Sequence, residues 1–250
     1  MRIPVTDIKL VTIIQARMGS VRLPGKVMLD LRGKTVLARV VERIRWSRFA
    51  GEIVVATTVE PADDVIVDEC RRLRVRVFRG GGDDVLDRYY HAAKQFGAGA
   101  IIRICSDCPL IDPEIVDQTA QAFLSVQPDY ASNALNRTYP RGLDIEIMTW
   151  NALARCWREA QEFYQRSHVT PYIYENPDRF DILRVTGQVD HSDHRWTLDT
   201  PEDLAFIRAV YARMNDPDRF SWRNVLELLE REPDLMELNQ HIQQKALQAG

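Results

Sequence analysis

Long hydrophobic runs are missing from this sequence. Apolar residues fill 45% of its 250 positions, but they never gather into the roughly 18 consecutive apolar residues that a membrane-spanning helix needs. No membrane association is therefore expected. A basic excess is missing as well: 33 Lys and Arg stand against 36 Asp and Glu, which argues against a general nucleic-acid binder and makes any anion site local. The opening stretch MRIPVTDIKLVTII has one early Arg and no uninterrupted apolar core, so a secretory signal is not expected and a cytoplasmic location is. Only four cysteines occur, too few for a disulfide scaffold. Cys105 and Cys108 form a C-x-x-C, which raises zinc and redox chemistry. Zinc would need two more ligands, and Cys70 and Cys156 stand apart without a finger-spaced His. A redox pair should open a helix that lowers the first thiol's pKa, whereas Pro109 and Pro113 push the helix start later. Packing of two small, soft side chains is the expectation.

What the sequence does contain is a rhythm of short β-branched runs alternating with helix-period stretches, the pattern of a parallel sheet wound with helices. Residues 10–14, 53–56, 75–78 and 100–104 read as strands apolar on both faces. Residues 35–46, 62–73, 85–96 and 114–124 place apolar side chains at three- and four-residue spacing, as helices do. Asp112 and Pro113 supply an N-cap and a first-turn proline for the last of these. Beyond 127 the rhythm loosens: 130–133, 145–149 and 179–185 look like strands, 150–160 and 166–175 like helices, and a mixed extension over 128–195 is predicted. Thr200, Pro201 and Asp203 make a capping box that opens a helix to about 214, with more helix from 222. One domain over 1–250 is expected, with 128–195 serving acceptor binding or dimerisation.

The first strand is followed by Gln15-Ala16-Arg17-Met18-Gly19-Ser20-Val21-Arg22-Leu23-Pro24-Gly25-Lys26. A loop at a strand's carboxyl end is where open α/β sheets bind ligands, and glycines let backbone N–H groups approach phosphate. Arg17, Arg22 and Lys26 would neutralise a triphosphate. Neither the P-loop pattern nor G-x-G-x-x-G is present. From spacing alone, a solvated basic turn remains an equal reading.

This string resembles the nucleotide-binding signature of the cytidylyltransferases that activate sugar acids, such as the 3-deoxy-manno-octulosonate and acylneuraminate enzymes. The spore coat polysaccharide biosynthesis branch is resembled further at G-D-D-V-L-D-R-Y-Y, residues 82–90, and R-W-T-L-D-T-P-E-D-L, residues 195–204. The resemblance implies a Rossmann-like nucleotidyltransferase fold of the GT-A type, a three-layer α/β sandwich with a mixed, mostly parallel sheet. It also implies CTP as donor, Mg²⁺ as cofactor, a small anionic acceptor such as a sugar acid, and a homodimer as one assembly. Catalytic roles fall on Arg17, Lys26 and Asp107; nucleotide contacts on Gln15, Ala16, Arg17, Met18, Gly19, Ser20, Arg22, Lys26, Gly80, Gly81, Asp87, Arg88 and Ser106.

Asp107, in Ile104-Cys105-Ser106-Asp107-Cys108-Pro109, follows the fourth strand and faces the same crevice. It matches the family's metal-binding aspartate, although sugar-acid enzymes have G-D-x-P-like surroundings and cysteines stand here instead. Asp199 alone could be a helix-dipole partner; by resemblance it is the second metal ligand, and two such carboxylates suit Mg²⁺. Gly80, Gly81 and Gly82 permit close approach to a base, and the resemblance gives this segment cytosine reading. Asp87 is equally explained as an acidic first turn. Acceptor candidates are Asn133, Arg137, Tyr139, Arg141, Asp144, Glu146, Arg166 and His168. Asp144 and Glu146 share one strand face, where acceptor hydroxyls, a second cation or plain solvent all fit. A GT-A glycosyltransferase is the alternative class, usually marked by D-x-D at the metal strand, which Ser106-Asp107-Cys108 lacks.

Overall fold

The computed structural model describes residues 8–245. Of the first four strands, β1 (Leu10–Gln15), β2 (Glu52–Thr58) and β4 (Ala100–Cys105) are apolar and buried over most of their length, whereas β3 (Arg76–Gly80) is a half-exposed edge strand. Between them run α1 (Val36–Ile44), α2 (Asp64–Leu73) and α3 (Val85–Gln95). α4 (Pro113–Val126) follows β4, capped as predicted: Asp112 accepts from Glu114 N, and Pro113 occupies the first turn. β5 (Tyr130–Ser132), β6 (Glu146–Thr149) and β7 (Ile182–Arg184) then join the same sheet, interleaved with α5 (Trp150–Glu159), α6 (Phe163–His168) and α7 (Pro171–Tyr174). α8 (Pro201–Arg213), opened by the Thr200–Asp203 capping box, and α9 (Trp222–Arg231) complete the order.

The sheet order is β3-β2-β1-β4-β6-β5-β7. β6 runs antiparallel to both its neighbours and every other pairing is parallel. Strand alternation sorts the core into two layers. Ile14, Ile102 and Ile104 pack with α1, α2, α4, α8 and α9, whereas Val11, Ile13 and Ile101 pack with α3, α5 and α7. Each such side chain, removed completely from water, contributes about 1.5–3 kcal/mol. The result is the expected three-layer α/β sandwich. Cys108 is buried in the first layer and Cys105 packs against it, both as free thiols.

One element differs from its sequence pattern. The helix expected over 166–175 is two short helices, broken at Val169, whose φ of 74° and ψ of −54° form a γ-turn closed by Thr170 N donating to His168 O at 2.9 Å. Pro171 has no N–H to continue the ladder, so the helix restarts there. No helix among the described residues is long and apolar enough to cross a membrane.

Candidate active site

The strand order places β1 beside β4, where connections wind away in opposite directions. A crevice at the carboxyl ends follows from that geometry. Into it leads the loop after β1. Its path is fixed by backbone bonds, since Ser20 N and Gly25 N both donate to Met18 O at 2.9 Å. Gly25 has φ of 69° and leads straight into the 3-10 turn Lys26–Met28. Asp63, which sequence reasoning missed, anchors the loop from below. Its buried carboxylate accepts from Met18 N at 2.7 Å, Thr57 Oγ1 at 3.0 Å and Thr58 Oγ1 at 2.5 Å. Burial pushes its pKa up, but these bonds outweigh that and hold it below the usual carboxylate range. The only signal in sequence was Thr57-Thr58 at a strand end shortly before an acid.

At the centre lies Lys26. Its ammonium donates to Asp107 Oδ2 at 2.8 Å, Asp199 Oδ1 at 2.9 Å and Leu198 O at 2.7 Å. Although far apart in sequence, Asp107 and Asp199 therefore converge on one cation. Leu198 N donating to Asp107 O at 2.8 Å stitches their two segments together. Burial would lower the Lys26 pKa, but the two carboxylates reverse that and raise it well above its ordinary value. Asp199 also meets Arg22 Nη2 at 3.0 Å and Arg195 Nη2 at 3.2 Å. Burial opposes its charge, Lys26, Arg22 and Arg195 favour it, and the net is a lowered pKa. Arg195 in turn donates twice to fully buried Asp203, at 2.9 Å each, which ties this cluster to the α8 capping box.

The glycine turn after β3 closes the β1 side. Arg88 is almost wholly buried and donates to the carbonyls of Gly81 and Gly82. A Cβ on Gly80 would stand 2.8 Å from Arg88 Cγ, so a larger residue would displace the Arg88 side chain. Burial first, then the Arg17 charge, depresses the Arg88 pKa; Arg17 itself is exposed on the loop. Ala16 N donates to Ala56 O at 3.1 Å and Ser106 N to Gln15 O at 3.2 Å, which fixes both residues by backbone bonds.

On the β6 side, Arg137 forms a two-pronged pair with Asp144, its Nη2–Oδ2 contact at 2.9 Å. Arg141 is pinned by its backbone, N donating to His194 O at 3.0 Å and O accepting from Trp196 N at 2.6 Å. Gly142, with φ of 110°, makes this approach possible; a Cβ there would lie 2.6 Å from the Trp196 carbonyl carbon. The Arg141 guanidinium is half-buried and no hydrogen bond from it to a described residue is found. Burial and then Arg137 lower its pKa.

Other expected contact residues are engaged in the scaffold. Asn133 closes the 133–145 loop through Leu143 O and Ile145 N at 2.7 and 2.8 Å. Asp87 accepts from Trp157 Nε1 at 2.8 Å, tying α3 to α5. Arg166 binds Asp84 and the carbonyls of Trp157 and Ala160. Glu146 pairs with Arg103 and accepts from Tyr130 and Thr170 hydroxyls. Tyr139 OH donates to Gln118 Oε1 at 3.1 Å, and half-buried His168 closes α6. Arg103 and Thr170 were not foreseen, since nothing in local spacing marks them.

A sheet crevice whose paired carboxylates share a lysine from a cationic, glycine-containing loop belongs to a nucleotidyltransferase. The chain is a member of the cytidylyltransferase family, matched over residues 11–240. It is 37% identical over 240 residues to the uncharacterized protein MJ1063 of Methanocaldococcus jannaschii, covering 95% of this chain and 97% of that one. It is 36% identical over 229 residues to the spore coat polysaccharide biosynthesis protein SpsF of Bacillus subtilis, covering 89% and 94%. Among solved structures, a cytidylyltransferase from Leptospira borgpetersenii serovar Hardjo-bovis superimposes with a TM-score of 0.89 at 34% identity, over 96% of this chain and 100% of that one.

Proposed function

We propose that this enzyme transfers CMP from CTP to a small anionic acceptor of the sugar-acid kind and releases pyrophosphate, with Mg²⁺ as cofactor, in the making of activated sugars for surface polysaccharide. The observation that carries this reading is the convergence of Asp107 and Asp199 on Lys26 beside Arg22. Two hard carboxylates, 26% and 14% exposed, are the donor chemistry Mg²⁺ takes alongside phosphate oxygens. Burial pushes the neighbouring Cys105 thiol up to about 12 and raises the Cys108 thiol well above its ordinary value, so neither offers a thiolate that would favour a softer metal. Asp107 and Asp199 would hold the ion, whose charge polarises phosphoryl oxygens.

The protein's own groups do the positioning. Arg17, Arg22 and Lys26 line one loop and neutralise the triphosphate, most of all the charge gathering on departing pyrophosphate. Arg88 fixes the shape of the glycine turn against which the nucleoside lies. Arg141, with its base clamped and its guanidinium without a described acceptor, takes the acceptor's anionic group. An acceptor oxygen attacks the α-phosphorus, the α–β P–O bond breaks with its electron pair leaving on pyrophosphate, and the acceptor's proton passes to water. The test is pyrophosphate release from each of the four nucleoside triphosphates, with Mg²⁺ and a panel of acidic acceptors. CTP-specific, acceptor-dependent release supports the reading, whereas release of free CMP or a nucleoside diphosphate from an activated sugar would point to the glycosyltransferase class instead.

A further inference from the structure

On the α3 face of the sheet, one hydrogen bond crosses the β1/β4 boundary that opens the crevice. Arg103 Nη2 donates to Gln15 Oε1 at 3.2 Å. A guanidinium only donates, so the Gln15 oxygen must turn toward Arg103 and its amide N–H groups must turn the other way. No acceptor for that nitrogen is found among the described residues, and Gln15 is half-buried at the last position of β1, where the cationic loop begins. Arg103 cannot swing freely. Its Nη1 is paired with Glu146, the side chain is 11% exposed, and the guanidinium lies 5.8 Å from the Tyr89 ring centre. Glu146 is held in turn by the Tyr130 hydroxyl and by Thr170 Oγ1 at 2.6 Å. Thr170 takes its place through the Val169 γ-turn, a positive φ on a β-branched residue that costs about 1–3 kcal/mol.

A buried ion pair is a poor device for stability, because desolvation of both charges offsets much of their attraction. A strained turn that feeds such a pair is poorer still. Both make sense if the pair holds something in place.

We infer that Arg103 is a positioning residue for the nucleotide, acting through Gln15: it fixes the amide so that its N–H groups face the crevice, and Glu146 serves as its counter-charge rather than as an acceptor ligand. The inference rests on the reading of the crevice as a CTP site.

The test is a triple set of variants in the full chain, titrated with CTP in the presence of Mg²⁺ by calorimetry, with melting temperature followed in parallel. Replacing the pair together, as R103M/E146Q, avoids leaving one buried charge alone. Q15A should weaken CTP binding about tenfold, the worth of a hydrogen bond to a charged group. R103M/E146Q should weaken it by a similar factor, and Q15A/R103M/E146Q should bind within about twofold of Q15A, because residues acting in series are not additive. Wild-type affinity in Q15A overturns the inference, as do losses that multiply in the combined variant. Should R103M/E146Q fail to fold, R103K takes its place, since Lys keeps the charge opposite Glu146 but not the fork that also reaches Gln15: CTP binding should again weaken about tenfold, and wild-type affinity overturns the inference. Absence of CTP binding by the wild-type protein overturns the donor reading along with the inference, which separates the two failures.

Discussion

Replacing Lys26 with Met tests the centre of the site without any knowledge of the acceptor. The ammonium is 11% exposed and contacts two carboxylates at 2.8 and 2.9 Å. Breaking a buried pair by removing one partner costs about 3–5 kcal/mol. Asp199 keeps Arg22 and Arg195 after the change, so the loss falls chiefly on Asp107 and should sit near the lower end, about 3 kcal/mol. The pH dependence has a definite sign. Asp199 has a lowered folded pKa, so its contribution is present above its ordinary 3.8 and is lost as pH falls through the folded value. Lys26 has a raised folded pKa, so its contribution is complete below its ordinary 10.5 and is lost as pH climbs past that toward the folded value. Urea unfolding of wild type and K26M should therefore differ by about 3 kcal/mol at pH 7, and the gap should shrink below pH 3.8 and above pH 10.5. A difference under about 0.5 kcal/mol at pH 7, within the range of ordinary surface substitutions, would mean that Lys26 does not hold the two carboxylates together.

Asp107→Asn should abolish pyrophosphate release while urea unfolding shifts by only about 1 kcal/mol, because the neutral amide keeps the shape; turnover at the wild-type rate sinks the assignment. Arg141→Ala should raise the acceptor KM about tenfold and leave the CTP KM unchanged; an equal rise in both would put Arg141 on the nucleotide instead. Gly142→Ala forces a Cβ to within 2.6 Å of the Trp196 carbonyl carbon at a φ of 110°. It should cost about 2 kcal/mol or more in thermal or chemical unfolding, and an unchanged midpoint would mean that this approach is not tight.

The first half of the fold was legible because its central strands are buried and read as apolar runs, as 10–14 and 100–104 do. The second half was legible in outline only. A helical period over 166–175 carries no trace of the Val169 turn, which is imposed by the Thr170–Glu146 contact and by Pro171. In the site, Lys26, Asp107, Asp199 and Arg22 were readable because strand-end loops and a family motif mark them. Asp63 and Arg103 were not, since each is defined by a partner distant in sequence: Met18 for the one, Glu146 and Gln15 for the other. Asn133, Asp87 and Arg166 have polarity suited to ligands, and their actual partners are backbone and side-chain groups that only the fold supplies.

The charge balance at the centre explains how such a cluster can be stable when nothing is bound. Asp107, Asp199 and Asp203 are matched by Lys26, Arg22 and Arg195 through contacts of 2.8–3.2 Å, so each charge of this cluster has an opposite partner. On the proposed reaction, a triphosphate competes with the carboxylates for Lys26 and Arg22. A divalent cation competes with Lys26 for Asp107 and Asp199. Each ligand then loosens the contact that opposes the other, and a neutral, self-paired site accepts a negative nucleotide and a positive ion together more readily than it accepts either alone. Arg195 and Asp203 stay outside this exchange, locked by two bonds into the start of α8. They keep Asp199 in place while its partners change.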